Sequence, residues 1–247
     1  MSIKCFVLDL DGVVYRGTKL VSNADKRIEN LRSKGKVLFL TNNSTLARGD
    51  CVKKLEGFGI PAEEEEIITS GYASALYIKE NYSSPRVFMI GEEGLKNELE
   101  AQSIKTGMRR CNVVLVGLDR NLNYTKIATA AKLIRNGADF LATNLDNTLV
   151  TEDGMLPGAG AIVSAVRTAC EKEPIVIGKP SHIMGDIILR KAKAAPQEIL
   201  LIGDRIETDI AMGKKAGLKT ALVLTGYAKQ EDADKSEIKP DYVLESL

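Results

Sequence analysis

The sequence predicts an α/β protein with parallel sheets. Short apolar segments alternate along the chain with longer amphipathic segments, which is the strand–helix pattern of a parallel sheet. Several apolar segments end in polar side chains, as strands do where a parallel sheet binds a ligand. The 247 residues are 44% apolar, which allows one large domain or two small ones.

The N-terminal part of the chain alternates regularly between the two kinds of element. A helix-start signal at Ser22 and Asn23 follows the first strand, and Gly35 ends that helix. The glutamates at 63–66 are expected to form a solvated loop. The expected strands are 6–9, 36–40 and 67–69, and the expected helices lie near 24–34, 45–56 and 72–81.

The alternation restarts after a linker at 81–85 and pauses at a second boundary at 171–174. Residues 144–157 are expected to form a long irregular loop, a feature that is often functional. Ser181 is expected to cap the helix that follows it. The later expected strands are 86–90, 113–116, 140–142, 175–177, 199–202, 220–224 and 242–244, and the helices lie near 94–101, 124–135, 158–170, 182–194 and 208–216. We therefore predict a core of residues 1–81 and 174–247, with a second α/β domain of residues 82–173 inserted between them.

Composition excludes several classes of function. The net charge is +1 and the charges between 82 and 174 balance, so no basic surface for nucleic acid is predicted. No run of 18 apolar residues exists and no leader precedes the first strand, so we expect no membrane partner and a cytoplasmic location. The scattered cysteines and the lone His182 argue against disulfides, a zinc site and a Ser-His-Asp triad.

The first strand ends in two aspartates, Asp9 and Asp11, followed by Gly12. Strand residues two apart face the same side, so the two carboxylates would repel unless a cation, a shared proton or a turn intervened. Gly12 permits such a turn. By itself this stretch fits either a solvated turn or a functional site.

Polar groups at three further positions favour the functional alternative. Thr41 and Asn42 follow the second strand, Lys179 begins a later helix, and Asp204 and Asp209 follow another apolar strand. Carboxylates suit a hard cation such as Mg²⁺, while a hydroxyl, a backbone N–H and an ammonium suit phosphate oxygens. An aspartate can also act as a nucleophile on phosphorus. Asp209 could also be only a charge at a helix start, but its spacing from Asp204 favours the role in the site.

Four ordered motifs resemble those of the haloacid dehalogenase-like (HAD) hydrolases. They are Asp9-Leu10-Asp11-Gly12-Val13, Thr41-Asn42-Asn43-Ser44, Gly178-Lys179-Pro180 and Gly203-Asp204-Arg205-Ile206-Glu207-Thr208-Asp209. The subgroup that the chain resembles is that of NagD and the p-nitrophenyl phosphatases. The resemblance implies a Rossmann-like parallel-sheet core with an inserted α/β cap of the C2 type.

The resemblance also implies a role for each core residue. Asp9 would be the nucleophile and a Mg²⁺ ligand. Asp11 would be the general acid and base, and its backbone carbonyl would bind the metal. Lys179 would bind the phosphoryl group and offset the charge of Asp9. Asp204 would bind Mg²⁺ directly, and Asp209 would complete the metal site as a partner of the direct ligands.

The substrate-binding residues are implied in the same way. The Thr41 hydroxyl and the Asn42 N–H would hold the phosphoryl group, and Asn43 would position the site. Thr143 and Asn144 lie in a second signature, Ala142-Thr143-Asn144-Leu145-Asp146, which is followed by Asp153-Gly154-Met155-Leu156-Pro157-Gly158-Ala159-Gly160. Both could face substrate or form a plain strand-end turn. The residues 147–150 between the two signatures contain no aromatic or basic anchor, which favours a small phosphomonoester.

The sequence thus predicts a phosphatase for small phosphorylated metabolites that works through an aspartyl-phosphate. Sugar phosphates, nucleotides, phosphoglycolate and aryl phosphates all remain open as substrates. The alternatives are a phosphotransferase on the same scaffold, a non-catalytic phospho-ligand-binding relative, and a response-regulator-like domain. Relatives of this kind often pair through the cap, but no apolar stripe in this sequence compels it, so a homodimer through the cap stays open.

Overall fold

The structure is a computed structural model that describes residues 2–151 and 154–247. The strands are β1 Cys5–Asp9, β2 Tyr15–Arg16, β3 Lys19–Leu20, β4 Lys36–Thr41, β5 Ile67–Thr69, β6 Arg86–Ile90, β7 Lys105–Thr106, β8 Val113–Val116, β9 Asp139–Ala142, β10 Thr148–Thr151, β11 Gly154–Pro157, β12 Ile175–Val176, β13 Ile199–Gly203, β14 Lys219–Val223 and β15 Tyr242–Leu244. The helices are α1 Ala24–Lys34, α2 Arg48–Glu56, α3 Ser70–Asn81, α4 Glu93–Ala101, α5 Tyr124–Arg135, α6 Ala159–Cys170, α7 His182–Ala192, α8 Ala211–Lys215 and α9 Gln230–Lys235.

The chain forms two compact units. The first contains Met1–Thr41, Val52–Ile68 and Lys179–Leu247, and the second contains Asn42–Cys51 and Thr69–Gly178. Each unit has its own sheet and its own buried core. The predicted α/β fold class, a parallel-sheet core with an inserted α/β domain, is confirmed.

The sheet of the first unit has the strand order β15-β14-β13-β1-β4-β5. Its centre is the apolar strand β1, which is buried along its whole length and pairs in parallel with β13 and β4. Such continuous apolar strands are typical of a parallel sheet that is covered on both faces. The centre of the sheet is the place where the polar residues of β1, β4 and β13 converge.

The second unit is a three-layer arrangement around the parallel sheet β12-β9-β8-β6-β7. Helices α5 and α6 cover one face, where Ile134 and Val166 join a cluster with Phe88 and Phe140. Helices α3 and α4 contribute to a separate cluster on the residues that alternate with these along the strands, Val87, Val113, Leu115 and Leu141. The period-2 alternation of strand side chains produces the two separate apolar layers.

The expected irregular loop at 144–157 is wrong over much of its length. Strands β10 and β11 form an antiparallel hairpin there, in which Leu149 lies opposite Leu156 and Thr148 opposite Pro157. Thr148, Val150 and Thr151 are β-branched, a composition that favours a strand. The Asn, Asp and Gly residues around them favour turns, which is why the sequence predicted a loop. Asp153, part of the second cap signature, lies outside the described residues.

Packing also places two elements differently from the sequence-based expectation. Strand β12, expected in the core sheet, pairs with β9 of the second sheet through Ile175–Leu141 and Val176–Ala142. Helix α3 buries Ala75 and Ile78 against the second sheet. The bounds 82–173 for the inserted domain stay a prediction. In the part of the chain that the structure describes, no helix has both the length and the apolar character needed to cross a membrane.

Candidate active site

Three neighbouring strands of the first sheet bring polar residues to one edge. Asp9 is the last residue of β1 and lies opposite Leu40 in β4. Thr41 is the next residue and the last of β4, so both strands end at the same edge of the sheet. On the other side of β1, Leu8 pairs with Ile202 of β13, and Asp204 follows that strand. Asp9, Thr41 and Asp204 are all buried. They therefore meet at the carboxyl ends of parallel strands, where open α/β sheets bind ligands.

Lys179 reaches this edge from the segment that precedes α7. Its Nζ donates to Oδ1 of Asp9 and to Oδ1 of Asp209, each at 2.7 Å. The Lys179 side chain is 4% exposed, and those of Asp9 and Asp209 are 8% and 0% exposed. Long lysine side chains are rarely buried unless they are paired, so these two ion pairs explain its position.

A π-helical turn at Ile206–Ile210 directs Asp209 into the site. Its backbone N–H and that of Ile210 both donate to the carbonyl of Arg205. The Oδ2 atom of Asp209 accepts from the N–H of Arg205 at 3.1 Å, while Oδ1 accepts from Lys179. A side chain at Gly203 would collide with Asp209, so glycine is required there. Single π turns inside helices are frequent at functional sites.

Asp204 is held from two sides by glycines. A Cβ on Gly12 or on Gly226 would overlap the Asp204 carboxylate. The Asp204 Oδ2 atom accepts from the N–H of Tyr227 at 2.8 Å. The hydroxyl of Thr225 donates to the carbonyl of Gly12 at 2.8 Å, which ties the two glycine segments together.

Gly12→Ala is expected to disrupt this arrangement. Gly12 has φ +90°, a conformation that strains other residues, and its new Cβ would displace Asp204. We expect a loss of more than about 1 kcal/mol in the free energy of unfolding, together with weaker binding of a divalent cation at the carboxylate cluster. Denaturant unfolding and a calorimetric titration with Mg²⁺ measure the two effects.

Gly59→Ala is the matched control for Gly12→Ala. Gly59 also has a positive φ, +76°, but a Cβ there would have no described atom within 4 Å. Gly59→Ala should therefore lose stability through backbone strain and bind Mg²⁺ as the unsubstituted protein does. Equal Mg²⁺ titrations for the two variants would contradict the proposed role of Gly12.

The electrostatics of the cluster indicate an excess of negative charge. Burial raises the pKa of Asp9 well above its usual range, and the charges of Asp209 and Asp204 add to this, while Lys179 opposes it. Burial and the Asp209 charge likewise raise the pKa of Asp204 to about 6, against the Tyr227 N–H and Lys179. Burial lowers the pKa of Lys179, but Asp209 and Asp9 outweigh it and raise that pKa above its usual value. The carboxylates thus hold Lys179 as a cation.

The cluster fits a divalent cation. Carboxylate oxygens of Asp9, Asp204 and Asp209 all lie within 4.8 Å of one another. Three carboxylates and one ammonium leave two negative charges, which a divalent ion would neutralise. Oxygen donors of this type suit Mg²⁺.

Asp9 and Asp11 differ in environment. Asp9 is buried with its carboxylate on Lys179, whereas Asp11 is only half-buried. The backbones of Asp11 and Tyr15 form an isolated β-bridge, and the N–H of Gly12 donates to the Tyr15 carbonyl. The chain therefore turns sharply after the strand. The two carboxylates therefore do not form a symmetric pair.

The remaining predicted substrate-binding residues lie in the second unit. Asn42 and Asn144 are buried and hydrogen-bonded to each other, and Thr143 is fully buried beside them. The Asn43 side-chain oxygen accepts from the N–H and the hydroxyl of Thr45, both at 2.8 Å, which forms a local turn.

Other positions that the sequence drew attention to have structural roles. Ser181 caps α7 as predicted, since its Oγ accepts from the N–H of Ile183 at 3.2 Å. His182 is exposed at the start of that helix. A Cβ on Gly158 or Gly160 would overlap the carbonyls of Asp146 and Leu145, so these glycines serve close packing.

Sequence reasoning missed Thr225, Gly226 and Tyr227, which support Asp204 and Gly12. These residues follow β14, the neighbour of β13. The signal that could have found them is a Thr-Gly pair just after an apolar strand, the same kind of strand-end position as the other site residues.

Comparison with known protein families agrees with this geometry. Residues 6–105 match the haloacid dehalogenase-like hydrolase family, and residues 176–247 match a HAD-hydrolase-like family. The chain belongs to the haloacid dehalogenase-like hydrolases, and within them to the phosphatases of the NagD-like subgroup.

Two curated relatives span nearly the same length as this chain. The 5'-nucleotidase YutF of Bacillus subtilis is 37% identical over 245 residues, covering 99% of this chain and 96% of the relative. The sugar-phosphatase AraL of the same organism is 36% identical over 245 residues, covering 98% of this chain and 89% of the relative.

Solved structures share the whole fold. The 4-nitrophenylphosphatase of Thermotoga maritima has a TM-score of 0.94 and 32% identity, covering 99% of this chain and 94% of its own. NagD of E. coli has a TM-score of 0.93 and 29% identity, covering 100% and 97%. The glycerol phosphate phosphatase of Mycobacterium tuberculosis, solved with magnesium, has a TM-score of 0.92 and 33% identity, covering 98% and 74%.

Proposed function

We propose that this enzyme hydrolyses small phosphomonoesters through an aspartyl-phosphate on Asp9, with Mg²⁺ as its cofactor. The observation that carries the proposal is the buried contact of Lys179 with Asp9 and Asp209, beside Asp204. That contact supports the proposal because a carboxylate that could attack phosphorus, an ammonium that could bind the phosphoryl group and further oxygen donors lie close together.

In the first half-reaction a carboxylate oxygen of Asp9 forms a bond to phosphorus. The bond between phosphorus and the ester oxygen breaks, and the carboxylic acid of Asp11 gives its proton to the leaving oxygen. Lys179 stabilises negative charge on the phosphoryl oxygens. The Thr41 hydroxyl and the Asn42 N–H hold the same group, and Asn43 keeps this segment in position.

In the second half-reaction Asp11 acts in the reverse sense. Its carboxylate takes a proton from a water molecule, and the water oxygen attacks phosphorus of the aspartyl-phosphate. The bond to Asp9 breaks, which releases inorganic phosphate and restores the Asp9 carboxylate. The half-buried position of Asp11 supports this role, since its side chain must meet both a leaving group and water.

Asp9, Asp204 and the backbone carbonyl of Asp11 would hold the metal ion. Both carboxylate oxygens of Asp209 accept hydrogen bonds, from Lys179 and from Arg205, which supports a role as a partner of the direct ligands. A bound Mg²⁺ would neutralise charge that develops on the transferring phosphoryl group.

The substrate class follows from the relatives and from the hairpin. Relatives are named for nucleotides, sugar phosphates, nitrophenyl phosphate and glycerol phosphate, so the fold accepts varied leaving groups. The β10–β11 hairpin carries Met155 and Leu156 as exposed apolar side chains. Among its described residues there is no charged side chain to select a large anionic leaving group. A cytoplasmic location and a homodimer through residues 82–173 stay predictions.

Removal and return of the metal test the proposal. EDTA is expected to lower turnover of 4-nitrophenyl phosphate by about a hundredfold or more, because a catalytic metal contributes several kcal/mol. Added Mg²⁺ should restore the rate. Assays with Mg²⁺ on glycerol phosphate and on a nucleoside monophosphate extend the test to other substrates. Ranking the three substrates by kcat/KM identifies the preferred one. Full turnover in excess EDTA would rule out the proposed metal site.

A further inference from the structure

We infer that Asn144 and Asp146 are positioning residues that fix the backbone at Asn42 and Gly178. Asn42 directly follows Thr41 in the chain, and Gly178 directly precedes Lys179. The inference rests on the proposed function, in which Thr41, the Asn42 N–H and Lys179 bind the phosphoryl group.

Asn42 is held at both its carbonyl and its side chain. The carbonyl oxygen accepts from Ser70 Oγ at 2.5 Å and from Asn144 Nδ2 at 2.7 Å. The side-chain Nδ2 of Asn42 donates to both oxygens of Asp146, at 3.1 and 3.2 Å. With these contacts made, the peptide plane between Asn42 and Asn43 and the Asn42 side chain have little freedom to rotate.

The two positioning residues are also joined to each other. Asn144 Oδ1 accepts from the N–H of Asp146 at 3.0 Å. Asn144 Nδ2 contacts Thr143 Oγ1 at 3.3 Å in addition to the Asn42 carbonyl. A side-chain amide has two donor hydrogens and an acceptor oxygen, and all of them are in use here.

Gly178 packs against the same group. Its N–H donates to the Thr143 carbonyl at 2.8 Å. A Cβ on Gly178 would lie 2.5 Å from that carbonyl, 2.6 Å from Asn42 Oδ1 and 3.1 Å from Asn144 Cβ. The spacing between Asn42 and Gly178 is thus set by direct contact with Thr143 and Asn144.

Burial separates this role from direct binding of substrate. Asn144 is 4% exposed and Thr143 is 0% exposed, and the polar atoms of Asn144 are occupied within the second unit. A residue that recognised the leaving group would need an accessible polar atom. Asn144 therefore acts on the phosphoryl-binding segments through the backbone, and its effect should be the same for every leaving group.

Asn144→Asp tests the inference because it keeps the size and the acceptor but replaces the Nδ2 donor with an oxygen. An oxygen facing the Asn42 carbonyl is repelled, and the buried carbonyl loses a hydrogen bond. We expect kcat/KM to fall about tenfold. The factor should be the same for 4-nitrophenyl phosphate and for glycerol phosphate. The dissociation constant of inorganic phosphate, measured by calorimetry, should rise in parallel.

Asp146 provides a conservative pair and Asn97 a matched control. Asp146→Ala removes both acceptors for the Asn42 amide and should behave like Asn144→Asp. Asp146→Asn keeps an acceptor and should recover most of the activity. Asn97 is exposed on α4 of the same unit. Asn97→Asp makes the same chemical change there and should leave kcat/KM and phosphate binding unchanged.

Each result bears on the inference separately from the proposed function. Unchanged kinetics in Asn144→Asp, or a loss confined to one substrate, would overturn the inference while the phosphatase activity stood. A wild-type protein without Mg²⁺-dependent turnover would overturn the proposed function. Phosphate binding would still decide the inference in that case. If Asn144→Asp does not fold, the comparison of Asp146→Ala with Asp146→Asn decides it.

Discussion

Asp9→Asn is expected to lower kcat by roughly 10⁴-fold or more, on the scale seen when a covalent nucleophile is removed. The amide keeps the size of the carboxylate and an oxygen that can accept from Lys179 Nζ, which lies 2.7 Å from Asp9 Oδ1. It lacks the charge that attacks phosphorus. Single-turnover assays with 4-nitrophenyl phosphate in saturating Mg²⁺ measure the loss, and circular dichroism checks the fold.

Asp186→Asn is the control for this prediction. Asp186 is exposed on α7 of the same unit, so the same exchange of carboxylate for amide should leave turnover unchanged. Phosphorylation of the wild-type chain but not of Asp9→Asn, detected by mass spectrometry after acid quench, would support the intermediate. Turnover within tenfold of the wild type in Asp9→Asn would eliminate Asp9 as the nucleophile.

Lys179→Met is expected to impair both catalysis and stability. The variant fills the space of the buried chain but leaves Asp9 and Asp209 without the ammonium that contacts both. Breaking a buried ion pair by removing one partner costs about 3–5 kcal/mol, so we expect a loss of that size in metal-free unfolding experiments. Turnover should fall by roughly a thousandfold, since the phosphoryl group loses a positioned charge.

The pH dependence of Lys179→Met provides a second measurement. A buried carboxyl whose folded pKa is raised favours folding while it holds its proton, and this contribution is lost as pH rises through the folded pKa. The pKa of Asp204 is already about 6 with Lys179 present. The deficit of the variant should therefore be larger at about pH 8 than at about pH 5.

Lys215→Met is the control for the loss of a lysine. Lys215 is exposed in α8 of the same unit, and its replacement should change neither stability nor rate appreciably. Mg²⁺ should recover part of the stability of Lys179→Met, since it supplies positive charge to the same carboxylates. Wild-type stability of that variant in EDTA would show that the ion pairs of Lys179 do not matter.

Local patterns in the sequence were enough to predict the fold class and the position of the candidate site. The apolar run of β1 ending at Asp9, and its counterparts ending at Thr41 and Asp204, predicted both a parallel sheet and the edge that carries the site. The parallel sheet is confirmed, because a continuously apolar strand must be buried on both faces, and parallel strands place their carboxyl ends together. The site at that edge stays a prediction. The motif around Lys179 completed the charge pattern.

Tertiary structure alone decided the features that depend on partners distant in sequence. The pairing of β12 with β9 depends on which sheet offers it an edge, and Ile175 and Val176 do not encode that choice. The support of Asp204 by Gly226 and Tyr227, and of Asn42 by Asn144 and Asp146, joins segments that no local periodicity connects. Hydrogen bonds and close packing between such segments are satisfied only after the chain has folded. The sequence could therefore predict which groups react, but not which contacts hold those groups in place.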